Sequence, residues 1–199
     1  MNQDIFFHIN DRQKIIIKNL CSDHGHVYRY DPIEILYKNE CLEYSILQND
    51  YLMPKFEELF YCLKDAIENR LNIDNVNDQG LGYSWNYILN CTSISASQES
   101  QSEESWDGSK YLMWSGNIFD TWLYNKNESI WLEISPIYPW HFRDPKEGEI
   151  FVPYKEWIKS YKPVCIVEIQ RKIAQQWLSQ AKSIMEEIEK ADSVYLYQK

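Results

Sequence analysis

The stretch WLEISPIYPWHFRDP, residues 131–145, carries a carboxylate at Glu133, an imidazole at His141 and a guanidinium at Arg143. These types suffice for chemistry: the imidazole acts as general acid or base, the carboxylate supports it, and the guanidinium holds an anion. Some of Trp114, Trp122, Trp131 and Trp140 would supply the aromatic walls of such a pocket. The same residues also read as a packed corner. Pro136 and Pro139 remove two backbone donors and fix two φ angles, so they end a strand and stiffen its exit. In that reading Trp140 and Phe142 pack on the last helix, and Arg143 pairs with Asp144 or Glu147. No nucleophile stands at a meaningful spacing, so the corner is the preferred reading and Glu133, His141 and Arg143 form the alternative catalytic set.

A second cluster, CSDHGH at residues 21–26, offers metal-ligand types in Cys21, His24 and His26. Structural zinc sites use four ligands, usually as two separated pairs, and no matching second pair follows. A polar turn between strands is the expectation, with no metal and no other cofactor. GxSxG, P-loop, HExxH and CxxC signatures are absent. The nearest glycine pattern, QGLGYSW with Gly80 and Gly82, lacks the third glycine and the following helix of a dinucleotide site. A catalytic role is therefore disfavoured, although carboxylate-based sites leave no short motif.

Charge narrows the partners. Thirty acidic against 20 basic residues give a formal net charge of −10, which repels phosphate backbones and anionic headgroups. Neither nucleic acid nor a membrane is expected as a partner, and a basic protein is. No Lys or Arg occurs between Arg70 and Lys110, an interval holding Asp74, Asp78, Glu99, Glu103, Glu104 and Asp107. Within it, the polar loop at about 95–109 reads either as a solvated loop or as an acidic docking arm. Glu99, Glu103, Glu104 and Asp107 would then surround Trp106 as an aromatic anchor.

The N-terminus has no signal-like apolar core, and no run reaches the roughly 18–20 apolar residues of a membrane span. Cys21, Cys41, Cys62, Cys91 and Cys165 are odd in number and widely spaced, as expected of free, buried thiols in a reducing cytoplasm.

The elements that must position these groups follow from periodicity. Short strands are expected in DIFFHI, KIIIKNL, HVYRY and IEILYKNECLEYSIL, the last folded at Lys38-Asn39-Glu40. Phe56, Leu59, Phe60, Leu63, Ile67 and Leu71 predict a helix at about 54–71 behind Pro54. YSWNYILNCTSI reads as a strand. KYLMWSG, IFDTWLYN and SIWLEISPIY form a meander with a turn at NKNE, the last strand having Ile130, Leu132 and Ile134 inward and its other face at least partly wet. A short helix at Tyr154–Tyr161 and a long one at about 168–190, striped by Ile169, Ile173, Trp177, Ala181, Ile184, Met185 and Ile188, complete the chain. With no sequence repeat or linker, residues 1–199 read as a single globular α+β domain, a mainly antiparallel sheet packed by two main helices.

In size, acidity and lack of catalytic motifs the chain resembles the bacterial immunity proteins that neutralise a cognate toxin. The resemblance implies an acidic protein-binding module that occludes a basic partner, such as a toxin nuclease, by steric and electrostatic exclusion.

Overall fold

The structure is a computed structural model that describes residues 4–20, 28–74, 76–91, 108–141 and 143–196. The Cys21–His24–His26 cluster and Glu99, Glu103, Glu104, Trp106 and Asp107 lie outside those residues.

The fold class is α+β as expected, with the strands divided between two four-stranded antiparallel sheets. The first is β1 (Ile5–His8), β2 (Lys14–Asn19), β3 (Pro32–Lys38) and β4 (Glu43–Tyr51), in sequence order. Helix α1 (Leu52–Ile67) follows at once. The second sheet is β5 (Leu112–Ser115), β6 (Phe119–Lys126), β7 (Ser129–Pro136) and β8 (Cys165–Ile169), and helix α4 (Arg171–Leu196) follows it. A four-strand meander plus a helix therefore occurs twice, without any repeat in the sequence. Two helices are added: α2 (Leu81–Cys91) between the halves, and α3 (Tyr154–Trp157), which runs on into a 3₁₀ turn, between β7 and β8.

Helix α1 buries Leu52, Met53, Phe56, Leu59, Leu63 and Ala66. The three- and four-residue spacing of Phe56, Leu59 and Leu63 is what identified it in the sequence. It has no side-chain N-cap. Leu52 and Met53 instead donate their N–H groups to the carbonyls of Asp31 and Arg29, at 3.0 and 2.9 Å. This corrects the strand expected at HVYRY. Its described residues, Tyr28 to Tyr30, enter a turn, because Asp31 Oδ2 accepts the Tyr28 N–H at 3.0 Å and its carbonyl is committed to α1.

The β3–β4 hairpin forms as expected, and its turn is closed by Asn39 Oδ1 accepting the N–H groups of Cys41 and Leu42. Cys41 is exposed on that turn, contrary to the expectation of buried thiols. The β6–β7 hairpin pairs Lys126 with Ser129, leaving Asn127 and Glu128 at φ 51° and 65°. Two positive φ angles make the type I′ turn whose twist matches antiparallel strands.

Other elements depart from the expectation: α1 spans Leu52–Ile67 rather than 54–71, and two further differences concern the last helix and α2. The last helix begins at Arg171 rather than 168, because Glu168 and Ile169 pair with Trp131 and Ile130 as the end of β8. The segment YSWNYILNCTSI is not a strand: its described part lies in α2.

The two halves share one core. Phe7 of β1 meets Phe56 of α1 and Trp177 of α4 at ring distances of 6.2 and 5.5 Å. Trp114 Nε1 of β5 donates to the Lys55 carbonyl of α1 at 3.1 Å, and Trp177 Nε1 donates to the His8 carbonyl at 3.0 Å. Each long helix thus contacts the other half's sheet.

The fully buried Asn125 of β6 pins the end of α1 in place. Its Nδ2 donates to the Ala66 carbonyl at 2.9 Å and its Oδ1 accepts from the Leu71 N–H at 3.2 Å. Asn125→Ala leaves buried backbone groups without these partners, and we expect about 2 kcal/mol of destabilisation in urea unfolding.

Candidate functional site

Strand β7 has two faces, and both are covered. Ile130, Leu132 and Ile134 point into the main core as expected. Glu133 and Ser135 point the other way and are equally buried, which corrects the expectation of a wet face. Helix α2 covers them, with Trp85 packed edge-on against Trp122 at 5.7 Å.

What holds α2 there is the Glu133 carboxylate. Oε2 accepts the Leu81 N–H at 2.7 Å and Oε1 accepts the Gly82 N–H at 2.8 Å. These are the first two residues of the helix, whose amides have no intrahelical acceptor and carry the positive end of the helix dipole. A strand carboxylate more than fifty residues away in sequence thus caps the helix. The glycines make the approach possible. A Cβ on Gly80, which has φ 89°, would overlap the Glu133 carboxylate, and one on Gly82 would overlap Ser135. The QGLG pattern, passed over as an incomplete nucleotide motif, is thus a seat for a buried acid and does precede a helix.

The segment after β7 runs alongside α2 and is clipped to it twice more. Asn86 Nδ2 donates to the Pro136 carbonyl at 3.0 Å, and Asn86 Oδ1 accepts the Tyr138 N–H at 2.8 Å. Farther on, His141 Nδ1 lies 2.9 Å from Asn90 Oδ1. Glu133 at Gly82 and His141 at Asn90 are eight helical residues apart, about 12 Å along the axis. They cannot share a proton. Arg143 is also committed: its guanidinium grips Glu149 through two bonds of 2.7 and 2.6 Å, and that pair holds Glu149 down at about 2. The three residues chosen from the sequence therefore do not form one site. Trp140 packs on Tyr138 and Phe151, at 5.6 and 5.4 Å, rather than on the last helix. Of the four tryptophans offered as pocket walls, Trp114 and Trp122 are core residues.

Burial governs the local acid–base behaviour. It pushes Glu133 up to about 7, and the Gly82 and Leu81 N–H bonds only partly oppose this. His141 is lowered from the usual imidazole value by burial, which favours its neutral form at pH 7. Desolvation also raises the half-buried Cys165 thiol to about 12, which keeps it protonated and unreactive.

A further acid, Asp120, completes this layer. Asp120 lies on the same face of β6 as Trp122, paired across the strands with Ser135, and is 3% exposed. Burial pushes its carboxyl up to about 7. It lines a cleft of about 610 Å³ together with Trp85, Leu89, Leu112, Ile118, Ile137 and Tyr138, with Arg143 and Lys146 at the rim.

Among the described residues no group of three His, Cys, Asp or Glu is placed to hold a metal ion, and no helix is long and apolar enough to cross a membrane. No family model, curated protein or solved structure matches the chain.

Two outcomes follow for this layer. Gly82→Ala forces a methyl group into Ser135, and we expect a loss of about 3 kcal/mol or more in urea unfolding, with α2 helicity reduced. Glu133 has a folded pKa raised above its unfolded value, so its stabilising contribution is complete below about pH 4.5 and disappears as pH rises towards 7. Relative to Glu133→Gln, the wild type should therefore lose on the order of 2–3 kcal/mol between pH 4.5 and 7.5. Parallel pH profiles of the two proteins would refute the assignment.

Proposed function

We propose that this chain is an acidic protein-binding module whose partner is a basic protein, held by electrostatic and steric occlusion. The observation that carries the reading is the charge distribution: a net charge of −10, with no cation between Arg70 and Lys110 across six carboxylates. Acidic side chains in such a run compete with phosphates for a positive cleft, and complementary charge accelerates encounter. A nuclease toxin is a partner of that kind, and the resemblance to immunity proteins points the same way.

The fold supports the reading by giving firm ends to the loop at about 95–109, which holds four of those six carboxylates. It leaves from α2, which is clipped to the segment after β7, and returns at a 3₁₀ turn where the buried Tyr111 donates its hydroxyl to the Asn72 carbonyl at 2.9 Å. Apolar residues for a contact stand near that exit. Tyr87 is exposed one turn before Cys91, and Phe151, packed edge-on against Trp140, is exposed beside Ile150 at 84%. Aromatic anchors beside charged residues are what interface centres and rims are made of.

The test is capture of a partner on the tagged protein at low salt, elution by a salt gradient, and comparison with the double variant Glu103→Lys and Glu104→Lys. The expected result is a stoichiometric basic protein released at moderate salt, with the double variant slowing association at least tenfold. Capture that is insensitive to salt and to both substitutions would overturn the reading.

A further inference from the structure

The cleft bordered by α2, β5, β6 and the segment after β7 has no role in the protein-binding reading. We infer that it is a binding site for a small zwitterion of the amino-acid type, with an apolar side chain, an ammonium group at Asp120 and a carboxylate at Lys146.

Three observations carry this. The first is size and shape. A volume of about 610 Å³ lies within the range of about 300–1,000 Å³ typical of small-molecule sites. The second is an unpartnered polar atom. Asp120 is 3% exposed, and among the described residues Ser115 is the side chain that hydrogen-bonds it and Oδ1 has no partner. A buried carboxyl oxygen without a donor is costly. Asp120 lines the cleft, and an ammonium group brought there favours the charged carboxylate against the burial that now raises its pKa.

The third is the order of groups from inside to outside. Asp120 and Tyr138 are the buried part of the lining, while Ile118, Asn117, Arg143 and Lys146 are exposed. Between them stand Trp85, Leu89, Leu112 and Ile137, an apolar wall suited to a hydrocarbon or aromatic side chain. The two rim cations are not equivalent. Arg143 is neutralised by Glu149, whereas Lys146 has no acidic side chain paired with it among the described residues. The site is thus acidic inside and basic outside. A ligand bearing only an amine leaves Lys146 unused, and one bearing only an acid meets Asp120 with the wrong charge.

The test is calorimetric titration of the full chain with L-phenylalanine, phenethylamine and 3-phenylpropionate. The expected result is one-to-one binding of phenylalanine, binding of phenethylamine at least fivefold weaker, and no binding of phenylpropionate. Lys146→Ala, at an exposed position that leaves folding intact, should bring phenylalanine down to the level of phenethylamine. Asp120→Asn should weaken both amines at least tenfold. Because a buried substitution can unfold the sheet, Ile118→Trp serves as the second variant. Ile118 is 62% exposed at the mouth, and a larger side chain there should block binding without touching the core. Failure of both amines to bind at millimolar concentration, or binding unchanged in Lys146→Ala and Ile118→Trp, would overturn the inference. Neither result bears on capture of a basic protein partner.

Discussion

The second half of this fold is organised by a carboxylate that has to be buried. Glu133 has no contact with solvent, and a buried carboxyl requires donors. The amides of Leu81 and Gly82 provide them, and in doing so fix where α2 begins and which side of the sheet it covers. Two glycines are then obligatory, since any side chain at Gly80 or Gly82 would occupy the space of Glu133 or Ser135. The coverage also closes off Trp122, whose indole nitrogen donates to Ser135 Oγ at 2.8 Å instead of to water. The aromatic ladder of Tyr138, Tyr154, Trp157 and Tyr161, with neighbouring rings 5.3–6.1 Å apart, extends the same layer beyond the helix.

The two buried acids of this layer have opposite fates. Cross-strand pairing places Asp120 opposite Ser135, making Asp120 and Glu133 diagonal neighbours on one face, roughly 7–8 Å apart at Cβ. Glu133 is sealed by the helix start and serves the architecture. Asp120 lies beyond that cover, at a cleft, with an oxygen left over. Burial raises both carboxyls to about the same value, so the shift alone does not separate structural from binding roles. Access does.

Much of the architecture was legible in the sequence because it rests on local patterns. The Phe56–Leu59–Leu63 spacing marks α1, and the NKNE stretch at 125–128 marks the β6–β7 turn, which the structure narrows to Asn127 and Glu128. Helix α2 was not legible, because Tyr83, Trp85, Tyr87 and Ile88 favour strands and the opposing influence comes from Glu133, far away in sequence. The start of α4 was misplaced for a related reason: Glu168 and Ile169 fit the helical stripe, but the pairing with β7 claims them. At the site, Glu133 reads in the sequence as a member of a catalytic set with His141 and Arg143, whereas its bonds to the Leu81 and Gly82 amides depend on a partner no short window contains. Asp120 went unnoticed because a single acid in IFDTWLYN is indistinguishable from one on an exposed edge until the second layer is known.

The order of strands has a kinetic meaning. In both sheets every strand pairs with its neighbours in the chain, so the pairings within each meander close mostly short loops, the exception being β7 with β8. Such loops form quickly, since the entropy of closure grows with the length of chain enclosed. The contacts between α1 and α4, and between Trp177 and the β1 backbone, span most of the polypeptide and must come last. During synthesis the first meander and α1 can therefore assemble on the ribosome while their apolar surface waits for α4, which leaves the N-terminal half exposed to aggregation for as long as the second half takes to emerge.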